Sequence, residues 1–496
     1  MTQVSLFVDP NRSTSLQQQV VEQIRQMILT GRLKGGDPVP GSRALAAQLG
    51  VSRNTVIIAY ELLAAEGYLV VRPNLGTFVT DDLPDEALNA PPAGGLPSPA
   101  AAAGRRRPGM LDRIAARDFP VQEIRNPATA RLHTDFWLGR VDPALFPTAE
   151  WRRILDLKLR YGKLPLAEYG DPQGLPALRR AIADHLGPAR GISCTEAEIV
   201  VTAGSQEALM LIARAAEGEA RVFLHEDPGY GGAIHLCARS GVACRPVPVD
   251  RDGLIVDALP EERGAMLYVT PSHQFPTGVT LSLARRLALL AWAERTDSLI
   301  VEDDYDGDFR HDGSPLTALR GIDTTGRVLY VGTFSKSLSP ALRMGYIVGT
   351  AAAARTLGRW KQLLTNGPPW HMQAALAEFM ESGAFARHLR CIRRVYRDRR
   401  DTLIAAIERH FPGSEIFGRR GGMHIAWRLP EAACARNLQR RALVRGIGIY
   451  TAEDGGACLA PGGDRHRDLL MLGYAAVPEA RIRAAIADLA AISGEG

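Results

Sequence analysis

The sequence predicts two folded units of different class: a small helical unit closed by a β-hairpin, and a large α/β unit built on a mostly parallel sheet. Three observations carry this. Residues 1–80 hold three capped helical stretches and a strand–turn–strand tail, residues 81–130 turn Pro/Gly/Ala-rich, and residues 131–496 alternate apolar strand-like runs with helical stretches. A chain of 496 residues has room for about three folding units. Its 46% apolar and 23% charged residues are soluble globular usage and exclude a mainly disordered protein.

In the first unit, Ser15 and Gln18 read as a capping-box pair that starts a helix. Leu16, Val20, Ile24, Met27 and Ile28 recur at helical spacing on one face, and Gly31 closes the helix. A second helix is predicted from about Ser42 to Leu49 with Gly50 as its stop. Ser52 caps a third, in which Val56, Ala59, Tyr60 and Leu63 face inward and Gly67 ends the run. YLVVRPNLGTFVT is then strand, Pro-Asn-Leu-Gly turn, strand. Three helices followed by a β-hairpin make a winged helix-turn-helix.

The net charge of +5 is too small for this length to mark a nucleic-acid partner, so the placement of charge decides. No acidic residue lies between Asp37 and Glu61, whereas Arg43 and Arg53 do, and Arg72 opens the wing. Ser52, Arg53, Asn54 and Thr55 stand at the amino end of the third helix, where side chains meet base edges or phosphates. Arg43 suits a flanking phosphate, and the wing tip Asn74–Gly76 a neighbouring minor groove. The same pattern also fits a helical protein-interaction module with a solvated basic face. Ile57 and Ile58 are more apolar than one buried face needs.

PPAGGLPSPAAAAGRRRPG, within residues 81–130, reads as a flexible linker whose ~50 residues span on the order of 40 Å as a coil. Its Arg105, Arg106 and Arg107 read as a solvated basic run. No apolar run approaches the ~18–20 residues that cross a bilayer. Residues 1–9 lack the basic and apolar regions of a secretory signal, which predicts a cytoplasmic protein with no membrane partner. The six cysteines (Cys194, Cys237, Cys244, Cys391, Cys434, Cys458) are scattered without zinc spacing and read as free thiols.

In the large unit, EIVVTAG, RVFLHED, AMLYVTP, SLIVEDDY and RVLYVGT are the strand-like runs. VLYVGTFSKSLSPALRMGYIVG ends a strand in a small-residue turn carrying Lys336, with Arg343 seven residues on. A lysine in a low-dielectric pocket gives up its proton and becomes a nucleophile toward aldehydes. Thr333, Ser335 and Arg343 add hydroxyls and a guanidinium for a phosphate. An aldehyde-bearing phosphorylated cofactor such as pyridoxal 5′-phosphate suits that set, although the segment alone also fits a surface lysine in a polar loop. SLIVEDDYDGDF delivers Glu302, Asp303, Asp304 and Tyr305 at the carboxyl end of a buried strand. A carboxylate there keeps a pyridine nitrogen protonated, and a phenol bonds the ring hydroxyl. Asp304, Asp306 and Asp308 alternate as cation ligands do but miss the EF-hand pattern, so no metal is expected. Gly204, Ser205 and Gln206 open a helix as phosphate donors, and Tyr230 in EDPGYGG offers a stacking ring.

LKGGDPVPGSRALAAQLGVSRNTVIIAYELLAAEGYLVVRPNLGTFV resembles the DNA-binding domain of the GntR family of bacterial regulators, over nearly all of residues 12–80. DFWLGRVDPALFP, EYGDPQGLPALR, TPSHQFPTG and GTFSKSLSPALRMGY are similar to a fold-type I aminotransferase, and more closely to its regulator branch, the MocR group. The resemblance implies Lys336 as Schiff-base lysine, Asp303 as pyridine-nitrogen partner, Tyr305 as ring-hydroxyl partner and Tyr230 as stacking ring. It places Ser205, Gln206, Thr333, Ser335 and Arg343 in the phosphate cup. It implies that Tyr169 reaches the neighbouring subunit's phosphate, in a homodimer with domains exchanged head-to-tail. It further implies operator double-stranded DNA as partner and an amine, or the cofactor itself, as effector. Two departures from the catalytic enzymes stand out: Phe275, preceded by His273 and Gln274, replaces the asparagine of their N-P-T-G, and LLMLGYA carries no arginine for a substrate carboxylate. Arg465 and Arg467 precede that stretch and read as loop charges. A regulator is therefore expected; the rivals are an aminotransferase with an accessory reader domain, and a repressor whose large domain is only a scaffold.

Overall fold

Helix α1 (Leu16–Leu29) starts where Ser15, in extended backbone, accepts the amide N–H of Gln18. The Gln18 side chain folds onto the Ser15 hydroxyl at 3.4 Å, so the cap is made from one side. Helix α2 (Ser42–Leu49) stops at Gly50, whose φ of 67° is the left-handed conformation that glycine adopts without Cβ strain. In α3 (Arg53–Ala65), Ser52 accepts from the Thr55 amide, and the wing follows as antiparallel β1 (Leu69–Arg72) and β2 (Gly76–Val79). Val20, Ile24 and Ile28 of α1 pack on Leu45, Val56, Ala59 and Leu63. Each buried Val, Leu or Ile side chain contributes about 1.5–3 kcal/mol by leaving water, which holds three short helices that would not persist singly.

The computed structural model describes residues 6–10, 14–73, 75–81, 109–117, 132–313, 316–429, 434–460 and 468–493. The chain divides into two units, Met1–Arg117 and Asp118–Gly496. Within the stretch read as linker lies a short helix, α4 (Met110–Ala115), begun by the Gly109 N–H donating to Asp112 Oδ2 at 2.7 Å. It buries none of its residues and is too short for an apolar period to register in sequence. Arg105, Arg106 and Arg107 lie outside the described residues.

The large unit runs β3 (Thr134–Asp135), α5 (Thr148–Tyr161), α6 (Pro176–Arg190), β4 (Ile199–Thr202), α7 (Ser205–Ala215), β5 (Val222–Asp227) and β6 (Gly229–Tyr230). It continues with α8 (Gly231–Arg239), β7 (Ala243–Asp250), β8 (Gly253–Leu254), β9 (Ala265–Val269), α9 (Leu283–Arg295), β10 (Leu299–Asp304) and α10 (Leu319–Ile322). Next come β11 (Val328–Thr333), β12 (Gly345–Val348), α11 (Ala351–Thr365), α12 (Trp370–Glu381) and α13 (Ala384–His410).

Among the described residues the main sheet has eight strands in the order β4-β12-β11-β10-β9-β5-β7-β8. β10 runs parallel to β9 and β11, and β5 parallel to β7 and β9. β12 is antiparallel to both of its neighbours, which makes the sheet mixed but mostly parallel. The apolar runs are buried on both faces: Val301, Val331 and Ile347 meet Leu209, Ile212 and Leu357, while Ile300 and Val328 meet Leu289 and Trp292. Parallel strands end together, so Asp303 of β10 and Thr333 of β11 reach the same edge. A smaller four-stranded sheet includes His424–Arg428 and Leu469–Gly473. No helix among the described residues is long and apolar enough to cross a membrane.

Candidate functional site

At that edge lies a cavity of 220 Å³ lined by Ser205, Gln206, Tyr230, Asp303, Tyr305, Thr333, Ser335, Lys336 and Arg343. Lys336 follows β11 in a tight turn, and its Nζ donates to the Gly139 carbonyl at 3.0 Å. Gly139 has φ +67°, and a Cβ there would sit 2.4 Å from Nζ, so the approach requires glycine. Burial lowers the lysine's pKa, while Asp306 and Asp303 hold it up. Asp303 is buried, and its Oδ2 accepts from the Tyr268 hydroxyl at 2.8 Å. Its Oδ1 is buried with no partner, and burial raises the carboxyl to about 7. An unmatched acceptor at the end of a closed strand calls for a donor.

The side of the cavity expected to take a phosphate is built from two turns. Ser205 opens α7 after Gly204, and a Cβ on Gly204 would lie 3.0 Å from Arg343 Nη2. Arg343 donates from Nη2 to the Ala203 carbonyl at 2.7 Å. Thr333 Oγ1 accepts the Ser335 amide at 3.1 Å and donates to Ser335 Oγ at 3.0 Å. Gln206 stands at the same place, but its Nε2 donates to the Tyr230 hydroxyl at 2.8 Å, tying the helix to the aromatic wall. Tyr230 meets Phe275 edge-on at 5.6 Å. Tyr169 is 85% exposed and is not among the residues lining the cavity.

The three alternating acids are spread over separate partners. Asp304 Oδ2 lies 2.7 Å from Arg190 Nε and accepts from Tyr330 at 2.6 Å. Asp306 lies 2.9 Å from His273 Nδ1, and Asp308 lies 3.3 Å from His185. The group of described residues spaced for a cation is instead His273, Asp306 and His424. There His424 Nε2 bonds the Pro276 carbonyl at 3.1 Å, and burial lowers this imidazole to about 3.

Sequence reasoning missed Gly139, Tyr268 and His424. Tyr268 sits inside the strand-like run AMLYVTP without a signal of its own, and only the side-by-side pairing of β9 with β10 brings it to Asp303. His424 carries no motif of its own. The LLMLGYA stretch places Met471, fully buried, against Phe275 and Tyr450; Arg465 and Arg467 lie outside the described residues.

On the small unit, Arg43, Arg53 and Asn54 are exposed. Ser52 and Thr55 bond each other at 2.7 Å, so their hydroxyls serve the cap. Arg72 leans on Phe78 at 4.9 Å and pairs with Asp81 at 3.4 Å. Gly76 turns the wing with φ +117°, while Asn74 lies outside the described residues.

Residues 145–485 match the family of aminotransferase class I and II, and residues 16–79 the bacterial regulatory proteins of the gntR family. The probable rhizopine catabolism regulatory protein MocR of Rhizobium meliloti is 36% identical over 443 residues, covering 89% of this chain and 87% of the relative. The chain is a MocR-family helix-turn-helix transcriptional regulator. Another MocR-like relative, the pyridoxine biosynthesis regulator PdxR of Corynebacterium glutamicum, is 35% identical over 86% of this chain and 85% of its own length. The crystal structure of Pyrococcus horikoshii kynurenine aminotransferase superposes with a TM-score of 0.67 at 27% identity, covering 80% of this chain and 96% of that one.

The orphaned carboxyl of this MocR-family protein makes a prediction about stability. Asp303 is held near 7 in the fold against roughly 3.9 in an unfolded chain, so its contribution is favourable at low pH and is lost as pH rises through 7. Asp303→Asn keeps an oxygen for Tyr268 and removes the buried charge. In the ligand-free protein it is expected to raise the unfolding free energy, read from urea titrations, by a margin near zero at pH 4 and on the order of 2–4 kcal/mol at pH 8. A margin that stays constant from pH 4 to 8 would contradict the assignment.

Proposed function

We propose that this regulator holds pyridoxal 5′-phosphate in the Lys336 cavity, binds operator DNA as a homodimer, and changes that binding when an amine or the cofactor itself occupies the site. The carrying observation is the pairing, within one cavity, of a half-buried lysine nitrogen that reaches the Gly139 carbonyl with an unmatched Asp303 oxygen. The residues present fit the group: Asp303 would accept from a protonated ring nitrogen, Tyr305 would bond the ring hydroxyl, and Tyr230 would wall the ring. Ser205, Gln206, Thr333, Ser335 and Arg343 gather hydroxyls, an amide and a guanidinium for the phosphate. The bound cofactor supplies an aldehyde that joins amines reversibly and a ring that withdraws electrons. Lys336 supplies the nucleophilic nitrogen, favoured in its neutral form by burial. The P. horikoshii enzyme was solved with PMP, which supports the same class of ligand here.

Tyr161 at 77%, Tyr169 at 85% and Leu363 at 79% exposure leave large side chains with apolar surface open on the large unit, available to a second copy. A two-fold dimer with reader domains exchanged head-to-tail would read paired half-sites in an operator. Exposed Arg43 and Arg53 support phosphate and base contacts, and Arg72 with the Asn74–Gly76 tip supports a groove contact. The proposed division of labour is residues 1–80 for DNA, 81–130 as linker and 131–496 for effector and dimer. The LLMLGYA stretch, which carries no arginine for a substrate carboxylate, favours sensing over turnover.

The test is an absorbance spectrum of the purified protein with pyridoxal 5′-phosphate, before and after borohydride, with mass analysis of the modified peptide. A visible band trapped on Lys336 is expected, and amines are then screened for a shift in that band and in operator affinity. No band and no adduct would reduce the large unit to a scaffold; multiple turnover with an amino acid and an oxo acid would favour an aminotransferase.

A further inference from the structure

Tyr305 leaves β10 with its hydroxyl 3.0 Å from His273 Nδ1, and the same nitrogen lies 2.9 Å from Asp306 Oδ2. His273 is 4% and Asp306 3% exposed, so their contact is shielded from solvent. The imidazole is held by shape. A Cβ on Gly422 would fall 2.2 Å from its Cε1, one on Gly278 2.8 Å and one on Gly418 3.1 Å from its Nε2. That Nε2 has no hydrogen-bond partner, so the ring's polar attachment runs through Nδ1.

A carboxylate oxygen only accepts, so the nitrogen facing Asp306 must carry the proton. That N–H is shared between Asp306 Oδ2 and the Tyr305 oxygen. Tyr305 therefore receives a hydrogen bond from behind, and its own O–H is free for the cavity whose wall it forms. With the tautomer reversed, Tyr305 would donate to Nδ1 and show the cavity only lone pairs. We propose that Asp306 and His273 are positioning residues that act through Tyr305, aiming its hydroxyl proton at the ring oxygen of the ligand. The inference rests on the reading that this ligand is pyridoxal 5′-phosphate. Burial, and the charges of Asp306, Asp303, Glu226 and Asp304, keep the phenol protonated far above its ordinary range and hence a donor. Lys336 lines the same cavity, and His424 stacks on the Tyr305 ring at 6.5 Å.

The experiment is a pH titration of the visible band of the full-length protein loaded with pyridoxal 5′-phosphate, in wild type, His273→Leu, His273→Asn, Asp306→Asn and Tyr305→Phe. A donated hydrogen bond stabilises the anionic ring oxygen and so lowers the pH at which the band changes. His273→Leu is expected to raise the midpoint by about one unit, a tenfold change. Asp306→Asn, whose amide can donate to Nδ1 and release the tautomer, is expected to move it the same way. His273→Asn carries a donor near the position of Nδ1 and is expected to stay near wild type. In the Tyr305→Phe background His273→Leu should add no further shift, because its effect passes through the phenol. A wild-type midpoint in both His273→Leu and Asp306→Asn, or additive shifts with Tyr305→Phe, overturns the proposal while leaving the cofactor site intact. Absence of any band in the wild type overturns the cofactor reading, and this inference with it.

Discussion

Lys336→Ala is expected to remove all borohydride-fixed cofactor and all amine-dependent change in DNA binding, while the protein still folds. The side chain makes one hydrogen bond, to Gly139, and faces the cavity, so truncation opens space without stranding a strand or helix. The groups proposed for the phosphate are untouched, so weak, non-covalent binding that dialysis reverses is expected to remain. Mass spectrometry of the reduced protein and operator titration with and without amine measure the two losses. A variant that kept its amine response would separate sensing from Lys336 and sink its role.

Arg53→Ala is expected to weaken operator binding by about 1–3 kcal/mol, roughly 5–150-fold, if the guanidinium reads a base. Arg53 is the first residue of α3 and exposed, held by a 3.4 Å contact from Nε to Ser42 Oγ. Alanine is tolerated at that helical position, so the loss reports on DNA rather than folding. The operator is first selected from random DNA by the wild-type protein, and affinity is read by fluorescence anisotropy at physiological salt. Arg43→Ala should act differently, lowering affinity for all sequences alike and reducing the salt slope by about one, as a phosphate contact does. Unchanged affinity in Arg53→Ala would remove α3 from the groove.

Much of this was legible because the determining physics is local. Ser52 and Gly50 bound their helices by side-chain capping and backbone freedom, and both act within four residues of where they stand. The strand ends carrying Asp303 and Lys336 were legible because a parallel sheet brings its carboxyl edges together. What escaped the sequence is fixed by register and by long-range packing. Tyr268 reaches Asp303 from 35 positions away across a strand pair, and Gly139 meets Lys336 from 197 positions away. Gln206 shows the limit from the other side: its place at the helix start was readable, but its bond to Tyr230 depends on how the β5–α8 loop returns. The one-sided Ser15 cap and the six-residue α4 were below what residue patterns resolve.

The connection from β11 to β12 carries Thr333, Ser335, Lys336 and Arg343, and its two ends are locked opposite each other at Thr333 and Gly345. An amine and a guanidinium on one segment clamped at both ends form a gauge of fixed length. Under the proposed function, that span would suit a ligand carrying a carbonyl at one end and an anion at the other.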